Sequence, residues 1–357
     1  MPPHARGDRH RALGAVRHHR RPRRARWRRG RGPGKRLSLP DSSGRDDDRE
    51  RTLDEAETQE ELQESSRRTT SRRDLARHQD FDEVSPELGV LDEQAVEEAL
   101  AERPDETLTM LGDLTGATDE RLRALARRLA GRIVIGMARA DAARRRGIGR
   151  MRSLPMDETG GDLDLDASLE TLQLASATRT APRADELTVR TWARPALAIC
   201  LVVDRSGSMS GDRLAAAAIA AAATAERAPD DFSVLAFSDK VMILKGQDQR
   251  RAIDDVVEDV FRLRGFGPTD LALALRVAKS QLASSTAQRK RVVLLSDCRP
   301  TAGTEPERDA GGIDELHVIA PADDAADAEA FARAVGARFA TLAGPSQIPA
   351  VFAQLAD

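Results

Sequence analysis

The chain has 357 residues, enough for one large domain or two of ordinary size, and its two cysteines exclude a disulfide-stabilised framework. The formal charge of −3 conceals an asymmetry, because residues 1–36 carry 13 Arg and one Lys against a single acid and the remaining residues carry −16. The longest apolar stretch is too short to span a bilayer, and no apolar segment follows the basic start as it does in a signal peptide. We therefore expect a cytoplasmic protein without membrane insertion.

Residues 1–84 are poor in apolar residues and dense in charge. Such a composition cannot bury enough apolar surface to offset the entropy of ordering, so it predicts a disordered, charged N-terminus. The arginine block in residues 1–36 is compatible with a tail that binds nucleic acid or an acidic partner. A charge run on its own is more typical of a solvated tail, or here of a start codon assigned too far upstream.

Residues 85–185 are predicted to form a small helical region and a connector. Apolar residues at steps of three and four after Thr118, a predicted N-cap, indicate a helix whose C-terminal arginines are typical of a solvated helix end. Asp162, Asp164 and Asp166 resemble the start of a calcium loop, but the glycine and the closing glutamate are not at the required offsets. We interpret these aspartates as an extended lead-in to a helix.

Residues 186–357 alternate predicted strands with predicted helices, a pattern typical of βαβ units and a mostly parallel sheet. Predicted strands are Ala196–Val203, Phe232–Phe237, Val241–Leu244, Arg291–Ser296, Glu315–Ile319 and Arg338–Leu342. Predicted helices are Arg213–Arg227, Arg250–Arg262, Asp270–Leu282, Asp324–Val335 and Ser346–Leu355. The two-residue link after the second strand predicts a hairpin. The fold class is therefore α/β, with a doubly wound, mostly parallel sheet and one antiparallel edge strand.

Oxygen-bearing side chains follow the first of these strands, at Asp204, Ser206 and Ser208. They lie at alternate residues of a tight loop at the carboxyl end of a central strand, where open sheets bind ligands. Convergent oxygens of this kind suit Mg²⁺ or Mn²⁺. Thr269 and Asp297 are predicted at the same edge of the sheet. Alone, Thr269 is compatible with an N-cap and Asp297 with a loop-amide acceptor, but together they favour a metal site.

These five positions resemble the metal-ion-dependent adhesion site of the von Willebrand factor A (VWA) family. The resemblance covers Pro195 to Asp357 and rests on the segments DRSGS, GPTDLALAL and VVLLSD. It implies a Rossmann-like VWA fold in which the serines and the threonine bind the ion directly or through water. It also implies that the aspartates lie at or just behind the ion, and that a carboxylate of a partner protein completes the coordination. The family usually has Gly after the last aspartate, whereas this chain has Cys298.

The order of the regions is also informative. A helical region, the lead-in GDLDLDASLE and a C-terminal VWA domain together resemble bacterial CoxE-like and magnesium-chelatase-like VWA proteins. This resemblance implies an adaptor that works with a MoxR-type AAA+ ATPase to remodel, or load metal into, a client protein. The chain contains no G-x-x-x-x-G-K-[ST] motif, so the partner would supply any ATP hydrolysis.

An enzymatic function is not expected. No G-x-S-x-G motif surrounds Ser206 or Ser208, and His317, the one histidine of the α/β region, lies inside a predicted strand. The glycines after the first strand do not form a dinucleotide fingerprint. A Cys200–Cys298 disulfide is not expected either, because Cys200 lies in the middle of a strand. The leading hypothesis is a Mg²⁺-dependent protein-binding adaptor; nucleic-acid binding through the N-terminus and a serine hydrolase are the alternatives.

Overall fold

The computed structural model describes residues 48–49, 51–144, 150–156, 162–193, 196–205, 211–265 and 267–355. The chain divides into two compact units, residues 1–41 and 42–357, and the first lies outside the described residues. None of the described helices is long and apolar enough to cross a membrane.

The second unit contains strands and helices throughout its length. The strands are β1 (Thr52–Leu53), β2 (Arg150–Pro155), β3 (Asp162–Leu163), β4 (Thr188–Ala193), β5 (Leu197–Asp204), β6 (Phe232–Phe237), β7 (Val241–Lys245), β8 (Arg289–Leu295), β9 (Glu315–Pro321) and β10 (Arg338–Leu342). The α-helices are α1 (Glu55–Ser66), α2 (Arg72–Leu75), α3 (Phe81–Val84), α4 (Glu93–Glu102), α5 (Pro104–Leu114), α6 (Glu120–Arg144), α7 (Leu165–Thr178), α8 (Gly211–Arg227), α9 (Ile253–Arg262), α10 (Leu271–Ala283), α11 (Pro306–Ala310), α12 (Ala326–Val335) and α13 (Ile348–Gln354).

The main sheet has the order β1-β7-β6-β5-β8-β9-β10, with β5 in the centre. Strands β6, β5, β8, β9 and β10 pair in parallel, and β7 pairs antiparallel with β6. The doubly wound, mostly parallel α/β fold is therefore confirmed. The edge assignment was incomplete: β7 is antiparallel as predicted, but the short β1 pairs in parallel with its outer side.

Alternate residues of β5 enter two separate cores, as the pleat of a strand requires. Ile199 and Leu201 belong to the core that contains α8, α9 and α13, and Cys200 and Val202 belong to the core that contains α10 and α12. Both faces of β5 are thus covered by helices, which explains its unbroken apolar sequence. The alanines of α8 are buried almost without exception, so this helix lies close to the sheet.

Predicted and observed elements of the α/β region agree closely. Strands β5 to β10 lie within two residues of their predicted bounds, and the five predicted helices within three. The short helix α11 was not predicted. Helix α6 was predicted to have Thr118 as its N-cap, but the amide of Leu122 donates to the side chain of Asp119 instead, at 2.9 Å. The arginine patch that follows α6 lies mainly outside the described residues.

The prediction of disorder up to residue 84 is wrong for residues 51–84, which form β1 and α1 to α3. Few of their residues are apolar, but those few, including Leu62 and Phe81, are almost completely buried in the core that also contains α8. The segment is ordered because it packs on the α/β region instead of forming a core of its own. The rest of the predicted tail, except residues 48–49, lies outside the described residues.

A second, three-stranded antiparallel sheet with the order β2-β4-β3 was not predicted. Helix α7 follows β3, and its N-cap Asp164 accepts hydrogen bonds from Ser153 Oγ at 2.7 Å, Arg190 Nε at 2.9 Å and the Ala167 amide at 3.2 Å. These bonds, that from Ser153 foremost, lower the pKa of Asp164 to about 2. The aspartates are therefore a lead-in to a helix, as interpreted from the sequence, and Asp164 acts as its cap.

Candidate functional site

Asp204 and Asp297 lie at the carboxyl edge of the main sheet. Asp204 is the last residue of β5, and Asp297 follows the adjacent strand β8 by two residues. Both side chains line one cavity of about 360 Å³. The topology therefore brings these two predicted ligands to the same site.

Asp204 is held by a residue that sequence reasoning missed. Ser296 Oγ lies 2.6 Å from Asp204 Oδ2 and donates to it, while the same oxygen accepts the Cys298 amide at 2.9 Å. This chain of bonds fixes the orientation of the Asp204 carboxylate relative to the loop after β8. The available sequence signal was a serine directly after the apolar run Val292–Leu295 of β8.

Asp297 is half-buried, and its Oδ1 accepts the Arg299 amide at 3.1 Å. This bond is the one expected of a loop-amide acceptor. It occupies one carboxylate oxygen only, and is therefore compatible with a metal-binding role as well.

Thr269 is buried in the loop before α10, and its backbone is tied to the loop after β8. Its N–H donates to Thr301 Oγ1 at 2.8 Å, and its carbonyl accepts the amides of Thr301 and Ala302 at 3.0 and 3.1 Å. The N-cap of α10 is Asp270, whose side chain accepts the Leu273 amide at 3.0 Å. The interpretation of Thr269 as an N-cap is therefore wrong.

Ser206 and Ser208 lie outside the described residues, in the segment 206–210. This segment is flanked by Arg205, which follows β5 directly, and by Gly211, the first residue of α8. Both neighbours are buried.

Both apolar and charged residues line the cavity. Val203, Ala216, Ile319 and Leu342 are among the apolar residues that line it. Among the described residues, the charged ones that line it are Asp204, Asp212, Asp297, Asp323 and Arg213. These four carboxylates and one guanidinium give the described part of this edge a negative potential, which favours a bound cation.

Asp204 and Asp297 offer carboxylate oxygens, the donors that a hard divalent cation prefers. Thr269 offers a hydroxyl oxygen from the neighbouring loop, but it is not among the described residues that line the cavity. Within the described residues, no three His, Cys, Asp or Glu side chains form a metal-binding group by themselves. A metal at this edge would therefore depend on hydroxyl ligands as well as carboxylates, as the sequence pattern predicts.

Cys298 follows Asp297 with φ +56°, a left-handed backbone conformation that favours glycine. Its side chain is buried, and burial, with the nearby charge of Asp204 next in importance, raises the pKa of its thiol well above the usual range. Both Cys298 and Cys200 are free thiols, and burial raises the pKa of Cys200 to about 12. Both are therefore protonated at neutral pH, which makes them poor nucleophiles.

His317 lies inside β9 and is buried. Burial, and then the charge of Arg291, lowers its pKa to about 4, so that the ring is neutral at physiological pH. His317 is not among the described residues that line the cavity. This placement agrees with its interpretation as a packed strand residue.

Residues 199–300 match the family model of the von Willebrand factor type A domain. The chain contains a VWA domain. The matched segment extends from β5 to the loop after β8 and includes all five predicted ligands. No curated protein matches the chain.

Several solved structures are similar to the VWA region at low sequence identity. One is a von Willebrand factor type A structure from Catenulispora acidiphila, with 18% identity and a TM-score of 0.38, covering 47% of this chain and 43% of that one. Another is the PilB minor pilin from Streptococcus sanguinis, with 15% identity and a TM-score of 0.36, covering 47% and 63%. A third is the pilus adhesin SpaC from Lactobacillus rhamnosus GG, with 16% identity and a TM-score of 0.37, covering 47% and 30%. The chain spans less than two thirds of the length of each.

Proposed function

We propose that the VWA domain is a Mg²⁺- or Mn²⁺-dependent protein-binding module. VWA domains are in general protein-interaction modules. The observation that supports the metal dependence is the position of Asp204 and Asp297, which lie at the carboxyl ends of the adjacent central strands β5 and β8 and line one cavity rich in carboxylates. The bound ion would attract a carboxylate of the partner protein.

In this proposal the predicted ligands and the residues that support them have distinct roles. As the sequence resemblance implies, Asp204, Ser206, Ser208 and Thr269 would hold the ion, and Asp297 would be a direct or indirect ligand. Ser296 keeps the Asp204 carboxylate in a fixed orientation through its 2.6 Å hydrogen bond. The loop that carries Thr269 is fixed to the loop after β8 by three hydrogen bonds of the Thr269 backbone, one of them to the Thr301 hydroxyl. Asp204 and Thr269 are thus each held by bonds to the segment that follows β8.

The proposed partners are a MoxR-type AAA+ ATPase and a client protein that offers an Asp or Glu to the ion, and the proposed location is the cytoplasm. The support for the ATPase is the sequence resemblance to CoxE-like VWA proteins, together with helices that precede the VWA domain. The chain would act as an adaptor without enzymatic activity of its own. The alternative of nucleic-acid binding depends on residues 1–36, which lie outside the described residues.

A capture experiment with the full chain tests this proposal. The bait is incubated with native lysate in Mg²⁺ or in EDTA, as wild type, as Asp204→Asn and as the control Asp314→Asn, which removes an exposed carboxylate at the amino end of β9, away from the cavity. The asparagine at 204 can still accept the Ser296 hydrogen bond, so it removes charge and preserves the local structure. We expect wild type and Asp314→Asn to capture an AAA+ ATPase in Mg²⁺ only, and Asp204→Asn to lose it. Equal capture in EDTA would show that binding does not use a metal.

A further inference from the structure

Arg205, the residue before the segment 206–210, is anchored by a helix outside the matched VWA segment. It is 2% exposed, and its Nη2 lies 3.0 Å from Glu61 Oε1 on α1. Its amide donates to the carbonyl of Phe237 at 2.8 Å. A buried guanidinium needs an anionic partner, so Glu61 determines where this side chain can lie.

Gly211, the residue after the segment, is anchored in the same way by another helix. Its amide donates to Asp113 Oδ1 on α5 at 2.9 Å, and Asp113 Oδ2 lies 2.9 Å from His78 Nε2. Gly211 has φ +46°, and a Cβ there would lie 2.8 Å from Thr109 Cγ2 of α5. Asp113 therefore satisfies the first amide of α8 from a neighbouring helix, and the fit leaves no room for a side chain.

The loop that carries Thr269 has a third anchor of this kind. The adjacent Asp270 is fully buried, and its Oδ2 lies 2.7 Å from Arg51 Nη2, which belongs to the turn before β1. Arg51 Nε also donates to the carbonyl of Asp239 at 3.0 Å. Residues 51–114 thus reach two of the loops with predicted ligands through charged side chains.

We propose that Glu61 and Asp113 are positioning residues for the metal-binding edge. This inference rests on the proposed function. Neither residue is a predicted ligand, and both lie outside residues 199–300. Glu61 holds Arg205, the residue that follows the predicted ligand Asp204 in the chain, and Asp113 holds Gly211, the first residue of α8. Groups that orient ligands in this way affect metal affinity although they do not touch the ion.

The first test measures Mn²⁺ affinity of the full chain by electron paramagnetic resonance of the free ion. Asp113→Ala removes the acceptor for the Gly211 amide, and we expect affinity to fall by about tenfold or more. Asp113→Asn retains an acceptor oxygen and should remain near wild type. The matched control is Glu106→Ala, because Glu106 lies on the same helix and has an exposed side chain that contacts Arg103 of the same region. It should leave affinity unchanged.

The second test addresses the other end of the segment. Glu61→Gln leaves the buried Arg205 without an anionic partner from α1, and we expect a loss of Mn²⁺ affinity of about tenfold. The control is Glu60→Gln on the same helix, where the side chain is exposed. It removes the same charge without touching the α/β region, and should bind Mn²⁺ as wild type does.

A metal-free measurement separates positioning from a general loss of stability. In EDTA, amide hydrogen exchange of a peptide spanning residues 203–214 should be faster in Asp113→Ala than in Glu106→Ala at equal global stability. Wild-type affinity and exchange in both Asp113→Ala and Glu61→Gln would overturn this inference and leave the proposed function intact. If the wild-type chain does not bind Mn²⁺, the proposed function and this inference both fail.

Discussion

Cys298 stands where a residue without a side chain would be less strained. Its φ of +56° lies in the left-handed region, and Arg179 is the other described non-glycine residue with a positive φ. An L-residue pays about 1–2 kcal/mol in this conformation because Cβ approaches the following carbonyl oxygen. This geometry explains why glycine is usual at this position in the family that the sequence resembles. In this chain the hydrogen bond from the Cys298 amide to Ser296 Oγ holds the loop in the same backbone conformation despite the side chain.

We predict that Cys298→Gly is more stable than Cys298→Ala by about 1 kcal/mol, the reverse of the usual order for these two residues. Both variants lose the buried thiol, so their difference isolates the Cβ atom. The measurement is the urea midpoint of each variant. The control is Ala322→Gly in an exposed turn without a positive φ, which should be neutral or destabilising by up to about 1 kcal/mol. If the alanine variant is the more stable at position 298, the strain assigned to this position is wrong.

The sequence was sufficient to find the candidate ligands but not their supports. Asp204 and Asp297 were found because each follows an apolar strand, and that signal is local in the sequence. Ser296, Glu61 and Asp113 were missed because their roles depend on contacts with residues up to 144 positions away. No periodicity or motif encodes such a contact.

At the scale of elements, α5 crosses α8 at two glycines. A Cβ on Gly112 would lie 2.5 Å from the Gly211 carbonyl oxygen, a backbone atom that cannot rotate away. Gly131 of α6 is also in a helix, but a Cβ there would have nothing within 4 Å. Alanine substitutions at these two positions therefore distinguish the effect of helix packing on stability from the effect of helix propensity.

We predict that Gly112→Ala destabilises the protein by about 1–3 kcal/mol, because the helices must move apart to admit the methyl group. Gly131→Ala should stabilise it by about 0.5–1 kcal/mol, because alanine loses less backbone entropy on folding. Chemical denaturation of both variants beside wild type measures the two changes. A stabilising Gly112→Ala would mean that α5 and α8 are farther apart than the structure places them.

The elements that sequence reasoning missed are those with weak local signals. Strand β1 has two residues, and β4 (TVRTWA) is half polar, so neither forms a recognisable apolar run. Helix α1 did carry a signal, since Asp54 and Glu57 form a capping box in the structure. The high charge of the segment gives the opposite signal, since it predicts disorder. That prediction holds only when no neighbouring core can bury the few apolar residues of the segment.

At the scale of the whole molecule, the N-terminal helices and the VWA domain share one core. Leu53, Leu62, Leu75, Phe81 and Val84 belong to the same cluster of buried residues as the strands of the main sheet. Each contributes roughly 2 kcal/mol of burial, about 10 kcal/mol together. That sum is comparable to the entire stability of a typical domain. A domain boundary at residue 84 would therefore divide a single hydrophobic core.

We predict that residues 42–357 fold like the full chain, whereas residues 85–357 expose apolar surface and lose cooperative unfolding. Thermal unfolding followed by circular dichroism, with binding of the dye ANS at 25 °C, distinguishes the two fragments. The shorter fragment loses β1 from the edge of the sheet, the five buried side chains named above and the Glu61 partner of Arg205. If it unfolds cooperatively at the same temperature as the longer one, the N-terminal helices are an accessory to an independent VWA domain. A loss of Mn²⁺ affinity in that folded fragment would then assign those helices to the metal-binding edge alone, without a role in folding.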